Sequence, residues 1–164
     1  MTILDTIVLW VHLFSAVIFV GGSFFIWLVV MPASHHFTKD EAERTLVVGK
    51  IAKQFGRITN PTLVILVLSG IYNASWYLPS FGELLSFKSY DADVLFVKVV
   101  LVSILIILIY VHGVYYGRKI VRFAREKDLE GLKAVRRRSR LISYANLALM
   151  VAILILAVML QMPP

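Results

Sequence analysis

Four uninterrupted apolar runs, each about as long as a bilayer is thick, leave this 164-residue chain little choice of fold. They lie at about Ile7 to Met31, Pro61 to Leu78, Asp93 to Gly117 and Leu141 to Gln161. With 59% hydrophobic residues and a mean hydropathy of +0.81, the chain holds more apolar surface than a soluble domain of this size can bury. The runs are too long and too continuous for the alternating pattern of an outer-membrane barrel, and a helix satisfies its own backbone polar groups in lipid. The expected fold is all-α: one integral membrane four-helix bundle spanning residues 1–164. The first run has no basic flank before it and no small-residue cleavage site after it, so it reads as a retained span.

Charge sets the expected orientation. Of the 17 Lys and Arg, five (Lys39, Arg44, Lys50, Lys53, Arg57) lie between Ala33 and Arg57 and ten between Arg118 and Arg140, so 15 sit in two connections. Both connections then face the cytoplasm of a prokaryotic plasma membrane, with both termini and the loop from Pro79 to Ala92 outside, where Lys88 answers Glu83, Asp91 and Asp93. The net charge of +7 is thus a topology signal. Attraction to anionic lipid explains the Arg136-Arg137-Arg138-Ser139-Arg140 cluster more simply than a nucleic-acid partner does. The absence of cysteine excludes disulfides, thiolate ligation and covalent c-type haem.

Local signals add detail. Thr38-Lys39-Asp40-Glu41 fits a capping box, and Ala42, Leu46, Val47, Ile51 and Phe55 follow at helical spacing, which predicts an amphipathic cytoplasmic helix before span two. Thr59-Asn60-Pro61 reads as a break and a new start, with Asn60 capping and Pro61 in the first turn. The second basic segment favours helix, so spans three and four extend into a charged hairpin.

The chemistry rests on His12 and His112, because ionisable groups within a span are costly to keep. His12 falls roughly 8 Å below the outer boundary and His112 roughly 28 Å along the third span from the same side, so the two cannot ligate one haem iron. Lys98 falls near the level of His12, where an amine ligates iron, pairs with a propionate or substrate carboxylate, or snorkels to the head groups. For each histidine the plain alternative is a neutral imidazole hydrogen-bonded within the bundle or at its interface. Ser15, Ala16, Gly21 and Gly22, with Ser69, Gly70, Ala145, Ala148 and Ala152, offer either room for a flat macrocycle or close helix packing. His35 and His36 read as surface residues, a metal pair there being the weaker alternative. Met31 and Met150 are isolated, and Met159 and Met162 could reach the His12 neighbourhood but read first as apolar filler.

These residues carry a resemblance. Trp10-Val11-His12-Leu13-Phe14-Ser15-Ala16, with Phe19-Val20-Gly21-Gly22 and Met31-Pro32, resembles the first span of the copper-resistance CopD domain. Arg57-Ile58-Thr59-Asn60-Pro61, then Val97-Lys98, His112 and Tyr116-Gly117-Arg118, resembles HemJ, the membrane-bound, haem-b-containing protoporphyrinogen oxidase. The resemblance implies a haem site at His12 and Lys98. Phe19 and Leu28 stand where that family has tryptophan and arginine, so a cation for a propionate or substrate is missing.

The leading expectation is a membrane b-type haem protein for redox or electron transfer, with His12, Lys98 and His112 as cofactor-binding candidates and quinone or a porphyrin-like molecule as substrate. The alternative is copper binding and transport in the manner of CopD, with His12 and His112 as metal ligands. A protoporphyrinogen oxidase-like membrane oxidoreductase is the enzymatic variant, and a small scaffolding subunit the non-catalytic one. Membrane lipid and a second copy in a homodimer are the expected partners, with no nucleic acid.

Overall fold

The computed structural model of the chain describes residues 2–78, 81–85 and 89–161. Four long helices form the bundle: α1 (Ile3–His36), α2 (Glu41–Ala74), α3 (Tyr90–Arg125) and α4 (Leu129–Met159), each apolar enough to cross a membrane. Lys88 and Met162 lie outside the described residues, as does the Glu83 side chain.

Side-chain bonds fix the antiparallel register. At one end, which carries both described chain ends, the Tyr72 hydroxyl donates to Asp5 at 2.8 Å and Gln161 to the Tyr77 hydroxyl oxygen at 2.6 Å. At the opposite, basic end the Arg136 guanidinium donates to Glu41 at 2.6 Å and to Thr45, tying the start of α4 to the start of α2. Trp27 meets Tyr144 edge-on, with ring centroids 5.7 Å apart, and so joins α1 to α4.

Two apolar layers fill the interior. Near the terminal end Ala74, Leu78, Ala92, Val94, Leu95 and Leu160 pack together. At mid-bundle Phe19, Leu63, Leu105 and Met150 meet, one from each helix. The flanks are the reverse of a soluble protein's: Phe14 (61%), Ile107 (62%) and Leu68 (63%) face outward, a surface that only lipid or another apolar partner can cover.

The structure alters the expected path between α1 and span two. Residues 41–74 form one continuous helix, so the expected amphipathic segment and the second span are a single element and Pro61 lies inside it. Pro61 has no N–H for the Arg57 carbonyl, but Thr59 and Thr62 donate to the Phe55 and Ile58 carbonyls at 3.0 and 2.8 Å. Neither bond replaces the missing one, but Thr59, Thr62 and Leu63 are buried against the bundle, and packing by neighbouring helices lets a membrane helix tolerate proline. The N-cap is Asp40, accepting from Ala42 and Glu43, while Thr38 instead bonds the Asp40 amide and the Glu43 carboxylate. Its φ and ψ are extended, which Thr38 three residues before Glu41 could not supply at the helix start.

The charged hairpin forms as expected. It turns at Glu126 to Asp128, with Lys127 at φ 53° and Asp128 capping α4 through Gly131. Three stretches widen into π-helical turns: Val17–Gly21, Ile26–Val30 and Val111–Tyr116. His112 lies in the last, and such turns recur where helices carry function.

Candidate functional site

His12 is held by α2. Its Nδ1 lies 2.9 Å from Ser69 Oγ, and the Ser69 hydroxyl donates to the Ile65 carbonyl at 2.6 Å, with the Leu66 carbonyl at 3.2 Å. A serine has one proton to give, and here it goes to the backbone. Ser69 Oγ must therefore accept from Nδ1–H, which leaves the lone pair of His12 on Nε2, the arrangement that orients an imidazole for a metal ion. The ring fits because residue 70 is glycine: a Cβ there would stand 3.1 Å from His12 Cε1. Lys98 of α3 is half-buried and close enough for its charge to act on the His12 ring.

His112 sits in a second polar cluster. Its Nε2 is 2.9 Å from Ser139 Oγ and 3.1 Å from Ser143 Oγ, both on α4. The Ser143 proton goes to the Ser139 carbonyl at 3.1 Å, while the Ser139 hydroxyl can either donate to Nε2 or accept from it, so both tautomers of His112 satisfy these bonds. Lys98 and His112 are 14 residues apart on α3, roughly 21 Å at helical rise, so the histidines serve separate places, as their depths in the sequence required.

Two further side chains belong to these clusters and were not singled out in the sequence. Asn73, one turn beyond Ser69, and Asn146, three residues beyond Ser143, are 9% and 8% exposed, and each keeps a buried carbonyl oxygen without a hydrogen-bond partner. On α4 the positions 139, 143, 146 and 150 follow one another at intervals of four, three and four, a single inward stripe. That spacing was the available signal.

The other expected positions fare differently. Gly22 is covered by the Phe55 ring and Gly70 by His12, while Gly21 is exposed and has nothing within 4 Å where a side chain would stand. Ala145 and Ala148 face outward and Ala152 is half-buried. Of these small residues only Gly22 and Gly70 meet a ring directly, and two surface grooves, one lined by Gly22, Phe25 and Phe55 and one by Val151, Ile155 and Met159, adjoin neither histidine. Beside His12 the face of Gly70 is taken by the imidazole itself and offers a macrocycle no room. His35 Nδ1 accepts from Arg44 at 3.0 Å and shares its surroundings with that cation, which disfavours a metal pair with His36. Among the described residues no cluster of three or more His, Asp or Glu stands ready for a metal.

Fold and side chains together define a four-helix membrane bundle with two histidine-centred polar clusters and no preformed polydentate cage among its described residues. A family model for CopD, copper resistance protein D, matches residues 49–160, and the chain belongs to that family of membrane proteins associated with copper resistance. Lys98, His112 and both asparagines fall within the matched segment; His12 lies before it. No curated protein and no solved structure matches the chain.

Proposed function

We propose that this protein binds copper within the membrane and passes it across, taking the ion at the terminal end on His12 Nε2 and releasing it at the basic end past His112. The observation that carries this reading is the Ser69 bond to His12 Nδ1, which frees Nε2. Family membership supports copper over haem, and the ring contacts at Gly22 and Gly70 add to that preference.

The charge of Lys98 bears on the oxidation state. Coulomb repulsion doubles from a singly to a doubly charged ion, so an ammonium beside His12 favours Cu(I) over Cu(II). A thioether ligand favours the same choice, and imidazole accepts either oxidation state. With few ligands at each place the ion is held weakly enough to leave, as conduction requires. The basic connections lie on the cytoplasmic side of a prokaryotic plasma membrane, so the ion moves inward.

The test is anaerobic titration of the detergent-purified protein with Cu(I) under a competing chelator, alongside an absorption spectrum. One equivalent bound by the wild type and lost in His12→Ala is the expected result. A stoichiometric Soret band that disappears in His12→Ala would replace copper with a b-type haem, redox function.

A further inference from the structure

A groove and a row of cations share one stretch of the flank between α1 and α2. The groove, of about 290 Å³, is walled by Gly22, Phe25 and Val30 of α1 and by Ile51, Gln54 and Phe55 of α2. Gln54 is the one polar residue among them, and Phe25 and Gln54 are exposed, so the groove opens to the surroundings of the bundle. Along α2 the cations Lys50, Lys53 and Arg57 recur three and four residues apart, all exposed and all on one side of the helix, with Gln54 one turn from both Lys50 and Arg57. Gln54 belongs to both features: it lines the groove and accepts from the Arg57 guanidinium at 3.2 Å. The cationic row therefore borders the apolar groove.

These cations stand where charge is costly. The Phe55 ring covers Gly22, and from that level α1 runs a further 14 residues, to His36, toward the basic end, roughly 21 Å at helical rise. Along that run Phe25, Leu28 and Met31 are exposed, as lipid-facing residues are. Arg57 bonds Gln54, one turn back toward the basic end, the direction in which a cation in a span snorkels. No carboxylate answers the row. α1 has no Asp or Glu after Asp5, and α2 has none after Glu43, which is seven residues from Lys50 and 14 from Arg57. Glu41 is engaged by Arg136 and Glu43 by Thr38, and among the described residues Lys50 and Lys53 take part in no ion pair. Three cations beside lipid tails, without a counter-charge of their own, call for an anion from outside the chain.

We propose that this groove is a binding site for one anionic phospholipid, its phosphate on Lys50, Lys53 and Arg57 and one acyl chain laid along Val30, Ile51 and Phe55. Such a lipid meets both features at once. Soluble phosphate answers only the cations, and a zwitterionic lipid carries a cation of its own beside the phosphate. Basic recesses between membrane helices are where anionic head groups bind. The site lies apart from both histidines and does not depend on the copper reading.

Native mass spectrometry of the delipidated, detergent-purified chain, titrated with phosphatidylglycerol or phosphatidylcholine, reads the site directly. One phosphatidylglycerol should bind at least about fivefold more tightly than phosphatidylcholine, the scale of a single cation near an anionic surface. Lys50→Gln/Arg57→Gln should lose about 25-fold, about fivefold for each cation. Lys133→Gln/Arg137→Gln, which removes the same charge from exposed positions on α4, should bind as the wild type does. Val30→Trp fills the groove without touching a charge and should weaken phosphatidylglycerol binding, while glycerol phosphate, a head group without a chain, should not compete in the wild type. Equal binding of the two lipids by the wild type, or equal losses in the α2 and α4 charge pairs, overturns the site in favour of diffuse attraction to the basic end. Competition by glycerol phosphate, or undiminished binding in Val30→Trp, overturns the acyl chain in the groove and the proposal with it.

Discussion

A hydroxyl with one proton decides which nitrogen of His12 is free. Because Ser69 gives that proton to the Ile65 carbonyl, Ser69→Ala removes the acceptor for Nδ1 without touching Nε2. The ring then loses its fixed tautomer and angle. Copper affinity should fall roughly 10- to 100-fold, as it does when a ligand's supporting partner is lost, while His12→Ala abolishes the site; chelator-competition titration of the two variants separates the cases. If Ser69→Ala and wild type bind alike, the hydrogen bond merely packs α1 on α2. The sequence made His12 legible because an ionisable group in an apolar run stands out by type alone. Ser139, Ser143, Asn73 and Asn146 did not stand out, since a small polar residue in a span is informative only when its direction is known. A rotation of one residue, about 100° on a helix, separates a lipid-facing serine from one that meets His112.

Whole helices were read more securely than their joins. Span lengths follow from the bilayer and from runs of apolar residues, and all four helices are present. The Asn60-Pro61 pair, by contrast, carries the marks of a helix start and lies within a helix, because packing of Thr59, Thr62 and Leu63 against the bundle outweighs the one backbone bond that Pro61 lacks. Pro61→Ala returns an N–H to the Arg57 carbonyl and should raise the thermal unfolding temperature slightly, with copper binding intact. The glycines separate by what a methyl would meet. Gly70→Ala sets a Cβ 3.1 Å from His12 Cε1, so the ring or α1 must move by a few tenths of an ångström; a destabilisation of about 1–3 kcal/mol is typical of overpacking, and copper affinity should drop with it. Gly21→Ala meets nothing within 4 Å and should leave both melting and binding where they were. Matched melting curves and Cu(I) titrations of the two alanine variants check the contrast, and equal effects would mean that the His12 ring is not seated on residue 70.

At the scale of the molecule, direction remains the property on which the copper reading most depends. The bundle places its two basic connections at one end and Thr2, Ser89 and Gln161 at the other, joined by the Tyr72–Asp5 and Arg136–Glu41 contacts. The charge count predicts a cytoplasmic basic end, since 15 of 17 cations lie in its two connections and lysines and arginines resist translocation. A chain without cysteine allows a direct check, because every label reports only the residue introduced. Thr2→Cys and Ser89→Cys in intact bacterial cells should react with a membrane-impermeant maleimide, and Lys127→Cys, at the exposed turn of the charged hairpin, should react only after permeabilisation. The reverse pattern would turn the bundle over, so that His112 meets copper first and His12 hands it to the cytoplasm. Entry on His12 would then fail as a description, even with every ligand correctly assigned, because Lys98 would guard the exit instead of the entrance.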